Sequence, residues 1–234
     1  NLEATARQIR YDFLLRTAHE CQAQIIVTAH TQNDQVETIL QRLLRGTSAA
    51  GLQGIHAITE MPNVIRLVRP MLEISRAEVL DHCARYQLSF CQDSSNHSLD
   101  FTRNRIRHEL LPLLETFNPA IDQVLRRISL QSSEDNDYLQ TEANTLLHQV
   151  ADGATLKFKP LLTFHPALRR RVLRQWLRQM RGDLRRINTA HLVAIDNLIM
   201  TGEGGSYIEL PGNEKVSRQG HCLKLQPIQE PPRT

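Results

Sequence analysis

Apolar residues in the first half of the chain recur with two different spacings. Over residues 3–22 they repeat every three or four positions, which predicts an amphipathic helix. The run Ile25–Ala29 is short, β-branched and continuously apolar, as expected of a buried parallel strand. Residues 34–45 return to helical spacing, with Asn33 as the predicted N-cap. The apolar side of the first predicted helix carries Ala6, Ile9, Phe13, Leu14 and Ala18.

The same alternation continues to the middle of the chain. Val64–Val68 is a second predicted strand, and Leu88–Cys91 is a short extended piece. Helices are predicted over residues 75–86, 102–114 and 118–148, and a capping-box pattern opens the first of these. Alternating strands and helices predict an α/β fold with a parallel sheet. Only two clear strands are visible, so we expect this sheet to be incomplete.

The second half of the chain has a different pattern. A short strand at Leu156–Phe158 precedes two predicted helices, over residues 166–180 and 189–200. Glycine and proline then separate three short strands, Ser206–Leu210, Lys215–Ser217 and Cys222–Leu225. We therefore expect an α/β domain over residues 1–115, followed by a smaller helical, α+β domain over residues 116–234.

Bulk composition narrows the class of protein. The chain has 234 residues, of which 41% are hydrophobic and 23% charged, as is ordinary for a soluble globular protein. We find neither an 18-residue apolar stretch, as a membrane span requires, nor a signal peptide at the start. The four cysteines have no CxxC spacing, so we expect reduced thiols in the cytoplasm rather than a zinc site or disulfides.

The basic residues are unusual in kind rather than in number. The net charge is only +3, but 24 of the 28 basic residues are arginine. The planar guanidinium group suits phosphate groups and stacking on bases. A GC-rich coding sequence would favour arginine equally well, so the positions of these residues must decide between the two explanations.

A polar cluster follows the first predicted strand and contains His30, Asn33, Asp34 and Glu37. In open α/β sheets, ligands bind beyond the carboxyl ends of the strands, and a helix N-terminus favours anions. A nucleotide phosphate would fit here, with Mg²⁺ held by a carboxylate. Asp34 and Glu37 are one helical turn apart and can share a side. The alternative is a capped helix whose polar first turn faces water.

Two further groups of residues in the first half are candidate phosphate or RNA contacts. The first group is Arg42 with Arg45, at a helix end before Gly46, where cations also complement the helix dipole. The second group is Arg103 with Asn104 and Arg107, at a helix start with three arginines in five residues. Such a helix start suits phosphate contact or a solvated helix face.

A third basic group lies in the second half, where Arg169–Arg186 holds eight arginines against one acid, Asp183. Arg170, Arg174 and Arg178 step along one side of the predicted helix and continue to Arg181 and Arg185. This ridge indicates an RNA-binding surface, although a solvated helix face would have the same pattern. The apolar stripe on the other side consists of Leu168, Val172, Leu173, Trp176, Leu177 and Met180.

These segments together resemble the tRNA(Ile)-lysidine synthetases, a family of the PP-loop ATPase group. The resemblance covers nearly the whole chain, and the blocks His30–Gly46 and Arg103–His108 are specific in combination. The other matching pieces are Asn1–Tyr11, Gly51-Leu52, Arg69–Leu72, Asp93–Asn96 and, more weakly, Leu168–Trp176 and Ile208–Gly212.

The resemblance implies an adenine nucleotide alpha hydrolase-like fold and an ATP- and Mg²⁺-dependent ligase. Such an enzyme adenylates the wobble cytidine of the CAU-anticodon isoleucine tRNA. L-lysine then displaces AMP and forms lysidine at C2, which changes codon reading from AUG to AUA. The resemblance places His30 and Asp34 at the catalytic and nucleotide centre with Glu37, and Asp34 at the metal. The residues that it places near the cleft or the bound RNA are Arg42, Arg45, Arg103, Asn104 and Arg107.

Two departures from the family pattern affect these expectations. Asn33 stands where the family has an acid, so metal binding would be weaker or would fall to Asp34 alone. The Ser-Gly-Gly-x-Asp-Ser pyrophosphate loop and an initiator Met are both absent, so we expect an N-terminally truncated enzyme with little activity by itself. Another PP-loop tRNA-modifying enzyme and a non-catalytic RNA-binding remnant remain alternatives. The helix over residues 118–148 could pack within the chain or across a homodimer.

Overall fold

The two strands predicted in the first half pair as parallel neighbours in a computed structural model that describes residues 2–91 and 99–228. Strands β1 (Ile25–Val27) and β3 (Arg66–Val68) lie side by side, with Ile26 opposite Leu67. A third strand, β2 (Ile58–Glu60), pairs antiparallel with β3 and gives the order β1-β3-β2. The pattern missed β2 because only one of its three residues, Ile58, is apolar.

Helices surround this small sheet in the first of two compact units, which spans Asn1–Glu134. The unit holds α1 (Leu2–Glu20), α2 (Gln32–Leu44), α3 (Arg76–Arg85), α4 (Thr102–Arg105), the π-helical segment Ile106–Leu110, α5 (Leu111–Phe117) and the first part of α6 (Ile121–Val150). Short 3₁₀ turns occur at Ala49–Gln53 and Pro62–Val64.

Only the second half of α1 packs on the sheet. Ala18 is buried against Ile26 and Leu67, but Ile9 and Phe13 are exposed, as is Ala6. Of the apolar side predicted for this helix, Ala18 is buried and Leu14 is partly buried against the sheet. A three-residue strand spans about 10 Å, whereas the 19-residue helix spans about 28 Å, so the sheet cannot cover it.

A second core joins α2 to the helices that follow. Val36 and Ile39 of α2 are fully buried, and Ile106, Leu111 and Leu125 pack against them. The predicted helix over 102–114 exists, with a π-helical segment in its middle and an extension to Phe117. Because this core fixes α2 against α4, it also sets the distance between the polar residues on the two helices.

The second unit, Asp135–Thr234, is an α+β structure. Its elements are β4 (Ala151–Asp152), β5 (Thr155–Lys157), α7 (Pro166–Arg181), α8 (Thr189–Thr201), β6 (Tyr207–Leu210), β7 (Glu214–Gln219) and β8 (Cys222–Pro227). The five antiparallel strands have the order β4-β5-β8-β7-β6, and α7 and α8 pack against them through a core that includes Trp176. The predicted apolar stripe of α7 is confirmed, since four of its members are fully buried and two partly buried.

Two segments in the middle of the chain were singled out in the sequence. Leu88–Cys91, expected as an extended piece, forms no strand. Asp93–Asn96, one of the segments that carry the family resemblance, lies outside the described residues.

Over the part of the chain that the structure describes, no helix is both long and apolar enough to cross a bilayer.

Candidate functional site

The carboxyl ends of β1 and β3 bring His30 and Arg69 to one edge of the sheet. The strands are parallel and in register up to Val27 and Val68, and the amide of Thr28 donates to the carbonyl of Val68 at 3.0 Å. Loops that leave neighbouring parallel strands on this side form the usual ligand crevice of α/β sheets. His30 and Arg69 both line a cavity at this edge.

The helix after β1 is capped by Thr31. The main-chain N–H and the hydroxyl of Thr31 donate to Oδ2 of Asp34 at 2.7 and 3.0 Å. The prediction that Asn33 caps the helix is wrong, because Asn33 lies inside α2 and its Oδ1 accepts the amide of Arg76 at 2.8 Å. A tertiary hydrogen bond to the start of α3 thus takes the place of the local bond expected from the sequence.

The cavity at the sheet edge has a volume of about 460 Å³ and strongly cationic walls. Of the described residues, five arginines and two histidines line it, and no carboxylate does. Like charges in one confined space repel one another, and an anion between them relieves this repulsion. Phosphate groups are therefore the ligands that the cavity favours. Its cationic and titratable residues are Arg7, His30, Arg42, Arg45, His56, Arg69 and Arg103.

Two predicted clusters that are far apart in sequence form one ion-pair network beside the cavity. Nη2 of Arg103 lies 2.5 Å from Oδ1 of Asp34, and its Nε lies 2.6 Å from Oε2 of Glu37. Nε of Arg107 lies 2.6 Å from the other oxygen of Glu37. The Glu37 side chain is only 1% exposed. This buried carboxylate therefore holds both arginines, and through them the helix that carries them, in place.

That helix is irregular at the site itself. Arg103 lies in α4, whereas Arg107 lies in the π-helical segment, a type of wide turn that often occurs at functional sites. Ile106, which is 2% exposed, anchors the same segment in the core. Asn104 is buried, so it offers little surface to a macromolecule, and its role in RNA binding stays a prediction.

His30, Asp34 and Arg103 also line a smaller cavity of about 310 Å³. Nδ1 of His30 lies 3.0 Å from the hydroxyl of Thr28, which fixes the orientation of the ring. The predicted pair His30 and Asp34 thus share a cavity, adjacent to the cationic one. Their assignment as catalytic residues stays a prediction.

The surroundings of His30 disfavour its charged form. Burial lowers the pKa of His30 below its ordinary value of 6.5, and the carboxylate of Asp34 opposes this shift. The guanidinium groups of Arg69, Arg103 and Arg7 lower the pKa further. His30 is therefore neutral near pH 7 and can accept a proton or a hydrogen bond from a ligand.

We expect the free energy of unfolding of the first unit to fall with acidification below about pH 6.5, partly because of His30. The unfolded chain binds a proton at this histidine more readily than the folded chain, so stability rises with pH through this range. Urea unfolding at pH 5.5 and 7.5, about one pH unit to either side of 6.5, would measure how steeply the free energy of unfolding changes with pH. His30→Gln should reduce this slope, whereas the exposed His19→Gln should not reduce it as much. Equal slopes in wild type and His30→Gln would contradict this prediction.

Arg42 and Arg45 both line the cationic cavity. Nη1 of Arg42 donates to the carbonyl of Gly51 at 2.8 Å, and burial, followed by the charge of Arg7, lowers the pKa of Arg42. Arg45 is exposed and ends α2, and Gly46 follows it with φ of +77°, as predicted for a C′ glycine. Their role in binding RNA or a nucleotide stays a prediction.

The predicted arginine ridge of the second unit is only partly available to a ligand. Arg170 lies 3.0 Å from Asp196, which also accepts two hydrogen bonds from the buried Arg169. Arg174 and Arg178 are exposed, and neither makes an ion pair with any residue of the described ranges. These two arginines are therefore the members of the ridge best placed for RNA.

Sequence reasoning assigned no role to three residues that line the cationic cavity, Arg7, His56 and Arg69. Arg69 directly follows the predicted strand Val64–Val68, so the rule that selected His30 could also have found it. Arg7 lies in the first half of α1 and His56 in a loop, and no local pattern marks either of them.

The residues present fit phosphate better than they fit a metal ion. Both oxygens of Asp34 are engaged, one by Arg103 and the other by Thr31. Among the described residues, no three His, Cys, Asp or Glu side chains form a group that could hold a metal. Mg²⁺ prefers an octahedral set of oxygens. Asp34 as a metal ligand therefore stays a prediction, and we assign no step to the ion.

The sheet edge and its cationic cavity define an α/β nucleotide-binding domain of the PP-loop class, and the PP-loop domain family matches residues 1–114. In the second half, the TilS substrate binding domain family matches residues 156–223. Together with the relatives described next, these matches show that the chain belongs to the tRNA(Ile)-lysidine synthase family. The resemblance expected from the sequence is confirmed, as is the α/β fold class.

Three relatives, each named tRNA(Ile)-lysidine synthase, illustrate the similarity. The protein from Dehalococcoides mccartyi (strain CBDB1) is 35% identical over 222 residues, which cover 90% of this chain and 46% of the relative. Thermosynechococcus vestitus (strain NIES-2133 / IAM M-273 / BP-1) has one that is 35% identical, with coverages of 98% and 67%. The protein from Gloeobacter violaceus (strain ATCC 29082 / PCC 7421) is 38% identical, with coverages of 95% and 68%. The chain thus spans about half the length of the first relative and about two thirds of the others.

Proposed function

We propose that the gene product containing this chain is an ATP-dependent tRNA(Ile)-lysidine ligase that acts in the cytoplasm. It joins L-lysine to C2 of the wobble cytidine in the CAU-anticodon isoleucine tRNA, through an adenylated intermediate. The observation that carries this proposal is the arginine cavity at the carboxyl edge of the sheet. Membership of the lysidine synthase family supports the choice of substrates.

The cavity suits the adenylation step. Attack on the α-phosphorus of ATP places extra negative charge on the phosphoryl oxygens, and preorganised guanidinium groups stabilise such charge. Arg42 lies on α2 and Arg103 on α4, so two separate elements direct cations into one space. Glu37 has no contact with that space and instead positions Arg103.

His30 suits the second step, in which an amine replaces AMP. A primary amine that attacks a carbon atom must lose a proton, and a neutral imidazole near pH 7 can accept it. The lowered pKa of His30 keeps the ring in this form. We assign proton acceptance to His30, and to Asp34 the positioning of Arg103 beside it.

Lysine transfer by the gene product that contains these residues tests the proposal. Labelled L-lysine, ATP and Mg²⁺ would be incubated with the CAU-anticodon isoleucine tRNA, and we expect ATP-dependent label in the RNA. Asp34→Asn should lower the rate by about tenfold, since a charge-assisted contact to Arg103 is lost. Asp81→Asn, at an exposed aspartate of α3, should leave the rate unchanged. Binding of tRNA without any lysine transfer would contradict the proposal and favour an RNA-binding remnant.

We also expect the exposed arginines of α7 to contribute to tRNA binding through phosphate contacts. The double variant Arg174→Ala, Arg178→Ala should weaken tRNA binding. The association constant falls as salt rises, and the steepness of log K against log[salt] should decrease by about two. Filter binding between about 50 and 200 mM salt measures this slope.

A matched control keeps the loss of charge equal. Arg16→Ala, Arg85→Ala removes two exposed arginines from the first unit, neither of which lines a described cavity. This control should keep the wild-type slope. An equal reduction in both double variants would show general electrostatic attraction and remove Arg174 and Arg178 from the RNA contacts.

A further inference from the structure

Arg69 is a buried cation that has no counter-ion among the described residues. It is 6% exposed, the same fraction as Arg169 in the second unit. Arg169 forms an ion pair with Asp196 at 2.7 Å, whereas Arg69 pairs with no carboxylate in residues 2–91 and 99–228. A buried charge normally requires a partner, because removal from water costs several kcal/mol.

Part of the hydrogen-bonding capacity of Arg69 is unused. Its Nη1 donates to the carbonyl of His56 at 2.7 Å and to the hydroxyl of Thr59 at 2.9 Å, both of them uncharged acceptors. Its Nε is buried and has no hydrogen-bond partner, and Nη2 has none among the described residues. The Nε–Nη2 edge of a guanidinium group is the edge that binds an oxyanion with two parallel hydrogen bonds.

The same side chain lies between two cavities. On one side is the cationic cavity, and on the other a cavity of about 440 Å³ that shares Ile55, His56 and Arg69 with it. The second cavity is lined partly by apolar side chains, including Ile58, Val68, Pro70, Leu72 and Leu130.

Most polar groups around the second cavity are already paired with one another. Gln35 accepts the amide of Ile55 and donates to the carbonyl of Gln53 and the hydroxyl of Ser129. Ser129 itself donates to the carbonyl of Gln53 at 2.7 Å. The carboxylate of Glu73 forms an ion pair with Arg126. What this cavity offers a ligand is therefore apolar surface beside one guanidinium edge.

We propose that Arg69 binds the phosphate of a nucleotide whose base and ribose occupy the second cavity. A nucleoside phosphate combines a flat, partly apolar body with an oxyanion, which matches an apolar cavity next to an uncompensated guanidinium group. The bound phosphate belongs either to an adenine nucleotide or to a cytidine of the RNA. This inference rests on the proposed function for its choice of nucleotides, but not for the anion site.

Binding of four small probes to the 234-residue chain tests the inference. Isothermal titration would compare AMP with adenosine and CMP with cytidine. The wild type should bind either AMP more tightly than adenosine or CMP more tightly than cytidine, by about 10- to 100-fold, as expected of a charge-assisted contact to the phosphate. Arg69→Met should abolish this advantage of nucleotide over nucleoside. Arg66→Met, at an exposed arginine of the strand that precedes Arg69, should preserve it.

Thermal unfolding separates ligand binding from a structural role of Arg69. Without ligand, Arg69→Met should melt at or above the wild-type temperature, because it removes an uncompensated buried charge. Arg69→Lys, which keeps the charge but not the planar fork, should retain part of the phosphate advantage. A lowered melting temperature together with an unchanged phosphate advantage in Arg69→Met or Arg69→Lys would show that Arg69 only holds His56 and Thr59 in place.

The two probe pairs identify the source of the phosphate. Loss of the advantage for AMP alone assigns the site to the adenine nucleotide, and loss for CMP alone assigns it to the RNA. Equal binding of nucleotide and nucleoside by the wild type would overturn the inference, even if lysine transfer occurs. Conversely, an Arg69-dependent phosphate advantage in a protein that transfers no lysine would remove the proposed function and leave the anion site.

Discussion

Replacing Glu37 by glutamine is expected to lower the free energy of unfolding of the first unit by about 2–4 kcal/mol. The Glu37 carboxylate accepts from Arg103 and Arg107, each at 2.6 Å, and is itself 1% exposed. A neutral amide removes this ion pair from both arginines, leaves Arg103 with Asp34, and directs an N–H group at one of the two cations. Because the two arginines remain 30% and 22% exposed, water recovers part of the loss, and we place the effect below that of a fully buried pair.

Urea unfolding followed by far-UV circular dichroism measures this loss. The control is Glu109→Gln, which breaks an exposed ion pair with Arg105 and should cost less than about 1 kcal/mol. Phosphate binding should also weaken in Glu37→Gln, because Arg103 loses the group that positions it beside the cationic cavity. A cost for Glu37→Gln as small as that for Glu109→Gln would show that the network does not hold α4.

Replacing Asp196 by asparagine is expected to destabilise the second unit by about 3–5 kcal/mol. Asp196 is 1% exposed and accepts from Nε and Nη2 of Arg169, at 2.7 and 3.2 Å, and from Nε of Arg170. Arg169 is also buried, at 6% exposed, so its charge has little access to water when the carboxylate is lost. This pair joins α7 to α8, and its loss should loosen the surface that carries Arg174 and Arg178.

The control and a rescue variant make this prediction specific. Asp183→Asn removes an exposed acid that lies 3.8 Å from Arg185, and it should change stability by less than about 0.5 kcal/mol. The double variant Arg169→Met, Asp196→Leu replaces the buried pair by apolar groups and should recover most of the stability. A double variant as unstable as Asp196→Asn would show that the lost stability comes from side-chain packing rather than from the unpaired charge.

Local patterns predicted the helices because helix formation and burial depend on neighbours three and four residues apart. The stripe on α7 from Leu168 to Met180 has this spacing, and the structure buries it as predicted. The pattern did not predict β2, since Ile58–Glu60 contains only one apolar residue. The apolar side of α1 extends beyond its contact with the sheet, because the length of the sheet limits that contact.

The assignment of domains to residues 1–115 and 116–234, and of individual roles to the site residues, stays a prediction. The sequence could place His30 at the end of a strand and Arg103 at the start of a helix, because both positions follow from local spacing. It could not predict that Arg103 contacts Asp34 and Glu37, which lie 69 and 66 residues away. Nor could it show that Arg69, which has no acidic partner in residues 2–91 and 99–228, is as buried as Arg169.

The sequence alone thus determined which chemical groups stand at the ends of strands and helices, and it determined the family. The tertiary structure decided which arginines have a carboxylate partner and which of them line the cavities. Asp34 and Glu37 pair with Arg103 and Arg107, whereas Arg69 has no counter-ion in the part of the chain that the structure describes. The physical reason is that helices and strands form through near neighbours, while the charge state of a site depends on distances across the folded chain.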